Sequence, residues 1–148
     1  MRVSIRKIAD KQNEQVIIEC VEETSEIREI EAYIRSKGTE ISGIGTEHSM
    51  KQFHLTDVYY FEALDEKVFA YTLEDVYEIK MRLYEVEETY AKHHFVRCSK
   101  SVVMNLMQLD SISPALNGRF FARMKNGEKL MISRQYAQKI KQIVMGGK

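Results

Sequence analysis

Apolar and polar residues alternate over residues 1–9, with Val3 and Ile5 on one side. An apolar run at 15–21, QVIIECV, follows the polar stretch DKQNE. Alternation with a period of two marks a strand, because successive side chains leave opposite faces. The pattern predicts two short strands joined as a hairpin. The period then changes. Ile27, Ile30 and Ile34 recur at helical spacing, Thr24 or Ser25 offers an N-cap, Glu26 lies in the first turn, and Gly38 stands where a helix would end. These signals predict a helix over about 25–37. A brief strand is expected at 39–44, and Gly43-Ile44-Gly45-Thr46 is the best boundary signal in the chain.

Short β-like runs follow, at roughly 53–61, 67–72, 75–81, 95–98, 101–104, 109–115, 119–124 and 129–132. Turn residues separate them. The pairs Asn117-Gly118 and Asn126-Gly127 are the strongest, since both residue types tolerate the positive φ of a tight hairpin. Two helices interrupt the strands, one over about 82–91 (Leu83, Val86, Tyr90) and one starting near Ser133 (Tyr136, Ile140, Ile143). Residues 73–90 admit either one long helix or a strand followed by a shorter helix. Alternation of Tyr77, Ile79 and Met81, with pairing to 67–72, favours the second. The fold class is therefore mainly β (α+β), with an N-terminal hairpin–helix extension over 1–45 and a β-rich unit over 46–148.

Charge sharpens this picture. The chain has 148 residues and a formal net charge of zero, but the signs are segregated. Residues 92–148 carry 11 Lys/Arg and two acids, a net +9, whereas residues 46–91 carry a net −7 and residues 1–45 a net −2. A basic segment laid over strands and loops suits a polyanion, and DNA or RNA is the default one. The plainer reading is a solvated face neutralised in space by the acidic middle. No apolar run approaches the roughly 20 residues of a membrane helix. Two cysteines, Cys20 and Cys98, make no disulfide framework. They read as buried free thiols of a cytoplasmic protein.

Catalytic and metal-binding readings find little support. His93-His94 with Cys98 matches no zinc spacing, and neighbouring histidines on a strand would face opposite ways. The pairs Asp65-Glu66 and Glu87-Glu88 fall at a turn and a helix end, where solvated acids are the rule. Ser133 is better explained as an N-cap than as a nucleophile. Tyr59, Tyr60 and Phe61 have the spacing of a strand core. No cofactor, metal or catalytic residue is expected.

The run Phe95-Val-Arg97-Cys-Ser-Lys100-Ser-Val-Val-Met-Asn105-Leu resembles the signature of the LytTR DNA-binding domain family. The order continues through Leu109-Asp-Ser-Ile112, Leu116-Asn-Gly-Arg-Phe120 and Met124-Lys-Asn-Gly-Glu-Lys-Leu-Met-Ile-Ser-Arg134. Upstream, Val58-Tyr-Tyr-Phe-Glu62, Lys67-Val-Phe-Ala-Tyr71 and Leu83-Tyr-Glu-Val-Glu87 fall in the family's order, so the resemblance covers about 50–146. It implies small antiparallel sheets with two short helices, and loops that enter successive major grooves in place of a recognition helix. It also implies a short member in which an extension replaces a phosphorylatable receiver domain.

By position in the motif, Lys100 falls where the family reads a base, flanked by Ser99 and Ser101 as phosphate partners. Lys67 after the acidic turn Asp65-Glu66, and Arg134 with Gln135 at the last helix, fall at the other reading points. Arg97, Arg119 and Lys125 are further DNA-binding candidates from strand ends and turns. Asn105, inside an apolar run, reads as a structural hydrogen-bonding residue. The expectation is a cytoplasmic, sequence-specific regulator of transcription bound to double-stranded DNA. It would be a homodimer built largely by residues 1–45. The rival is a non-enzymatic interaction or sensing module whose basic face docks an acidic partner.

Overall fold

A computed structural model describes residues 1–146. Gly147 and Lys148, the end of the expected 46–148 unit, lie outside the described residues. The predicted N-terminal hairpin is not formed within the chain. Residues 1–24 contain no strand, only a short 3-10 turn at Lys11–Asn13 capped by the Asp10 side chain. An isolated two-stranded ribbon is marginal in water, and residues 1–24 are almost wholly exposed. Cys20 is consequently exposed, against the expectation of a buried thiol, whereas Cys98 is buried.

The first helix, α1 (Ser25–Lys37), begins at Thr24, whose Oγ1 accepts the Ile27 N–H at 3.3 Å. It docks through Ala32, buried to 5% exposure, against 3-10 turns at Leu55–Asp57 and Ala91–His93. The isoleucine stripe is only partly covered, and Ile34 is exposed.

Ten strands follow α1: β1 (Glu40–Ile44), β2 (Met50–His54), β3 (Tyr60–Leu64), β4 (Lys67–Tyr71), β5 (Val76–Ile79), β6 (Phe95–Ser99), β7 (Val102–Asn105), β8 (Leu109–Pro114), β9 (Phe120–Met124) and β10 (Lys129–Ile132). Helix α2 (Leu83–Thr89) links β5 to β6, and α3 (Arg134–Gly146) ends the described chain. Residues 73–90 therefore form a strand and then a short helix. The ladder Val68–Ile79 to Tyr71–Val76 supplies partners that a long helix would forfeit. The first seven strands make one antiparallel sheet in the order β2-β1-β5-β4-β3-β7-β6, and the last three make a second, β10-β9-β8. The Gly43–Thr46 signal lies at the turn of the β1–β2 hairpin. Gly43 is needed there, because a Cβ would stand 2.7 Å from that of Tyr77.

Alternation divides the large sheet into two buried faces. Phe61, Val68, Ala70, Ile79, Phe95 and Val103 pack under Leu83 and Val86 of α2 and its C-cap residue Tyr90. Tyr60, Val102 and Met104 face the small sheet and α3, where Ala122, Met124, Ile132 and Ile140 complete a second core. Sheets buried on both faces read as continuous apolar runs, as at Val102-Val-Met104. Asn105 is the polar exception. It is 1% exposed, its Nδ2 donates to the Val58 carbonyl and its Oδ1 accepts the Met107 N–H, both at 2.9 Å. Both partners are backbone groups, so its role is structural.

Candidate nucleic-acid interface

The turn between β6 and β7 is a knuckle held from below. Arg97 leaves the α2 face of β6, and its Nε donates to Glu87 Oε1 at 3.1 Å. A terminal nitrogen donates to the Lys100 carbonyl at 2.7 Å. The Arg97 side chain is only 16% exposed, and its guanidinium ties the knuckle to α2. Fixing the Lys100 carbonyl leaves the Lys100 side chain outward and exposed. Ser99 Oγ accepts the Ser101 N–H at 3.3 Å, which occupies that hydroxyl within the turn. A register shift between Arg97 and Ser99 bends the strand where the turn begins.

Three other segments meet at this knuckle. The Ser133 N–H donates to the Cys98 carbonyl at 2.9 Å, placing the start of α3 beside the end of β6. Arg134 and Gln135, the first residues of that helix, are exposed. The Asn117-Gly118 turn takes the positive φ values the sequence suggested, 60° and 74°. It lies against Arg134, whose Cδ would stand 3.0 Å from a Cβ on Gly118. Arg119 follows that turn with its Nε on the Leu116 carbonyl at 3.0 Å, leaving its terminal nitrogens over. Finally, the Ala63 N–H donates to the Ser101 carbonyl at 2.8 Å, which brings the β3–β4 turn to the same end.

At that turn Asp65 and Glu66 both have positive φ, 50° and 66°, in a conformation that favours Asn and Gly. Lys67 comes next, with its Nζ 3.9 Å from Glu78, which also lies 3.9 Å from Lys80. Both lysines remain largely exposed, so these pairs hold them weakly. Lys80 is a cation that the sequence reading passed over. The β4–β5 register, Val68 opposite Ile79, sets it across from Lys67, and pairing those two strands residue by residue was the signal that could have found it.

Lys125 is not part of this cluster. It follows β9 at the opposite end of the small sheet, tied through its N–H to the Gln108 carbonyl at 2.8 Å. Five strand residues, and so six steps, separate it from Arg119, about 20 Å at 3.3 Å per residue. Near it, Glu128 accepts the Tyr60 hydroxyl at 2.8 Å, and Tyr71 donates to Glu62 at 2.9 Å. Burial and these carboxylates push both phenols up, Tyr71 to about 12. Burial likewise pushes the Cys98 thiol up to about 12, so it is protonated and inert beneath the knuckle. The histidines also differ from expectation. His93 closes a 3-10 turn and His94 is left-handed, φ 68°, so neither lies on a strand.

Lys100, Arg119 and Arg134 are thus convergent cations, and among the described residues they form no ion pair with a carboxylate. No helix in residues 1–146 is long and apolar enough to cross a membrane. The end of the molecule that gathers these cations offers projecting loops, which suit an extended polyanion.

Comparison with known proteins agrees. The LytTr DNA-binding domain model matches residues 48–145. The solved LytTr DNA-binding domain of a methyl-accepting/DNA response regulator from Bacillus cereus superposes with a TM-score of 0.67 at 26% identity, over 72% of this chain and 96% of that one. An HTH-type transcriptional regulator of Staphylococcus aureus is 32% identical over 60% of this chain and 60% of its own length. The sensory transduction protein LytT of Bacillus cereus is 26% identical over 78% of this chain and 50% of its own, and the transcriptional regulatory protein YpdB of Escherichia coli is 29% identical over 61% and 37%. The chain therefore aligns with about a third to three fifths of the length of these relatives. With two thirds of its residues inside the family model and its antiparallel architecture shared with a solved member, the chain belongs to the LytTr DNA-binding domain family.

Proposed function

We propose that the protein is a sequence-specific transcriptional regulator that works in the cytoplasm as a homodimer and reads duplex DNA from loops, without catalysis or a cofactor. The observation that supports this most is the gathering of Lys100, Arg119 and Arg134 at one end of a chain with no net charge. Lys100 projects from a knuckle braced by Arg97, as a base-reading side chain must, because discrimination needs a fixed origin. Gln135 beside it has the amide geometry that pairs with adenine. Arg119, Arg134, Lys67 and the Ser99 and Ser101 hydroxyls, whose O–H groups can still donate, supply phosphate contacts around it. In this reading Arg97 positions the knuckle and touches no DNA. Lys125, about 20 Å from Arg119 at 3.3 Å per strand residue, lies outside the interface.

A salt titration of binding to cognate and random duplexes tests the assignment. Lys100→Ala should cost about 1–3 kcal/mol on cognate DNA and much less on random DNA. Arg119→Ala should weaken both alike and lower the salt slope by about one. Lys125→Ala should leave both unchanged. Equal losses on both duplexes for Lys100→Ala would reduce that residue to a phosphate anchor. No effect from any variant would return the basic segment to a solvated face.

A further inference from the structure

The N-terminal residues leave more apolar surface uncovered than any other part of the chain. Val3 is 88% exposed, Ile5 92%, Val16 and Ile17 67%, and Val21 fully so. Their alternating pattern is that of strands, but their backbone makes no ladder within the chain. The excess is large. A compact monomer of 17.3 kDa exposes about 7,800 Å², whereas this chain exposes 10939 Å². Covering a third of that difference, which is roughly 3,000 Å² on each chain, would bury about 2,000 Å² over two copies, the total area of a stable homodimer interface.

Charge says what covers it. Residues 1–11 hold Arg2, Arg6, Lys7 and Lys11 against one acid, Asp10. Residues 14–31 hold seven glutamates against one cation, Arg28. The two segments are complementary, but the 3-10 turn at Lys11–Asn13 between them does not fold one onto the other. Val16, Ile18 and Cys20 line a groove beside Ile27 and Ile34 of α1. Ile17 and Val21 lie on the opposite side of that segment with Glu19 between them, so both faces carry apolar residues and one also carries an acid. In residues 1–9 Val3 and Ile5 share one face and Arg2 and Arg6 the other, with Lys7 and Ile8 breaking the alternation, and charges of this kind suit an edge strand.

We propose that two copies exchange these arms, residues 1–9 of each pairing as an edge strand with residues 15–21 of the other, over the α1 helices. This rests on the homodimer proposed above and specifies how it is built. Exchange lets each arm find the complementary charge that its own turn withholds, and it closes on itself with two-fold symmetry.

Charge reversal tests it in the full chain. One variant carries R2E/R6E/K7E, and a second carries E19K/E22K/E23K. The arm makes almost no contact with the β domain, so both should keep the wild-type denaturation midpoint measured at low concentration. Sedimentation equilibrium at about 50 µM, a concentration that detects micromolar association, should give a two-copy mass for wild type. Each variant alone should associate at least about tenfold more weakly, from like-charge juxtaposition. An equimolar mixture should regain the two-copy mass, with native mass spectrometry showing one copy of each. If the mixture stays single while a chain carrying all six changes dimerises, pairing is within the chain and exchange is overturned. Undiminished association of both single variants overturns it as well. A single-copy mass for wild type removes the homodimer together with the exchange. A gel shift on the same samples reports separately whether the DNA reading survives.

Discussion

Residues 1–21 and the strands β3–β5 have similar local sequences and opposite fates. Both hold short apolar-rich runs bounded by polar residues. In β3–β5 each run found a neighbour in register, Phe61 opposite Ala70 and Ala70 opposite Tyr77, with α2 closing one face. In residues 1–21 the runs have no ladder and no cover. The difference shows that such a run states a requirement and does not meet it. A strand's backbone groups and apolar face are satisfied only by other segments, and the free energy comes from that burial.

The sharpest way to test this contrast is one apolar truncation in each region. Phe61, fully buried, should cost about 3–5 kcal/mol as Phe61→Ala. Ile5→Ala should stay within about 0.5 kcal/mol when denaturation is followed at low concentration. Comparable losses would mean that the arm is packed in solution within its own chain. The same contrast holds for amides. Asn105→Ala strands the Val58 carbonyl and the Met107 N–H, and should cost about 2–3 kcal/mol. Asn13→Ala, in the exposed turn of the arm, should change nothing measurable.

A third test uses pH. The Cys98 thiol is raised in the fold from 9.0 to about 12 by burial. Its contribution is therefore complete below pH 9 and lost as pH rises towards 12, at up to about 1.4 kcal/mol per pH unit. Tyr60 and Tyr71, also raised, add to the loss above pH 10. Urea midpoints taken between pH 8 and 11 should fall, and less so in Cys98→Ala. Deleting residues 1–21 should not alter that slope. The smallest effect is at the β3–β4 turn. Glu66 pays for a φ of 66° that glycine adopts freely, so Glu66→Gly should stabilise by about 1 kcal/mol. A gain there alongside no gain from Gly at Asn13, where the φ/ψ is ordinary, would locate backbone strain in the folded region alone.

Much of the architecture was legible because its signals are local. The Asn117-Gly118 turn, the Thr24 cap, the Leu83–Val86–Tyr90 face and the Asn105 interruption each depend on residues a few positions apart, and the structure agrees on all of them. The LytTR resemblance was legible for the same reason, as an ordered series of such segments. The candidate site was less so. The motif brings Lys100 and Arg134 together in sequence, but only the fold shows that Glu87 and the Lys100 carbonyl hold the Arg97 guanidinium. It is likewise the length of β9 that sets Lys125 at the other end of the small sheet from Arg119. Lys80 was passed over because only the pairing of β4 with β5 brings it beside Lys67.

The sequence by itself determined which segments want to be strand or helix, where the chain turns, and that positive charge gathers in its last third. The tertiary structure alone decided the sheet order β2-β1-β5-β4-β3-β7-β6, which cations share one end, and which apolar runs remain uncovered. The physical reason is range. Backbone preference and side-chain period act over a few residues. Strand pairing and charge convergence depend on which distant segments compete best for the same partners, and that is settled only when the whole chain is folded.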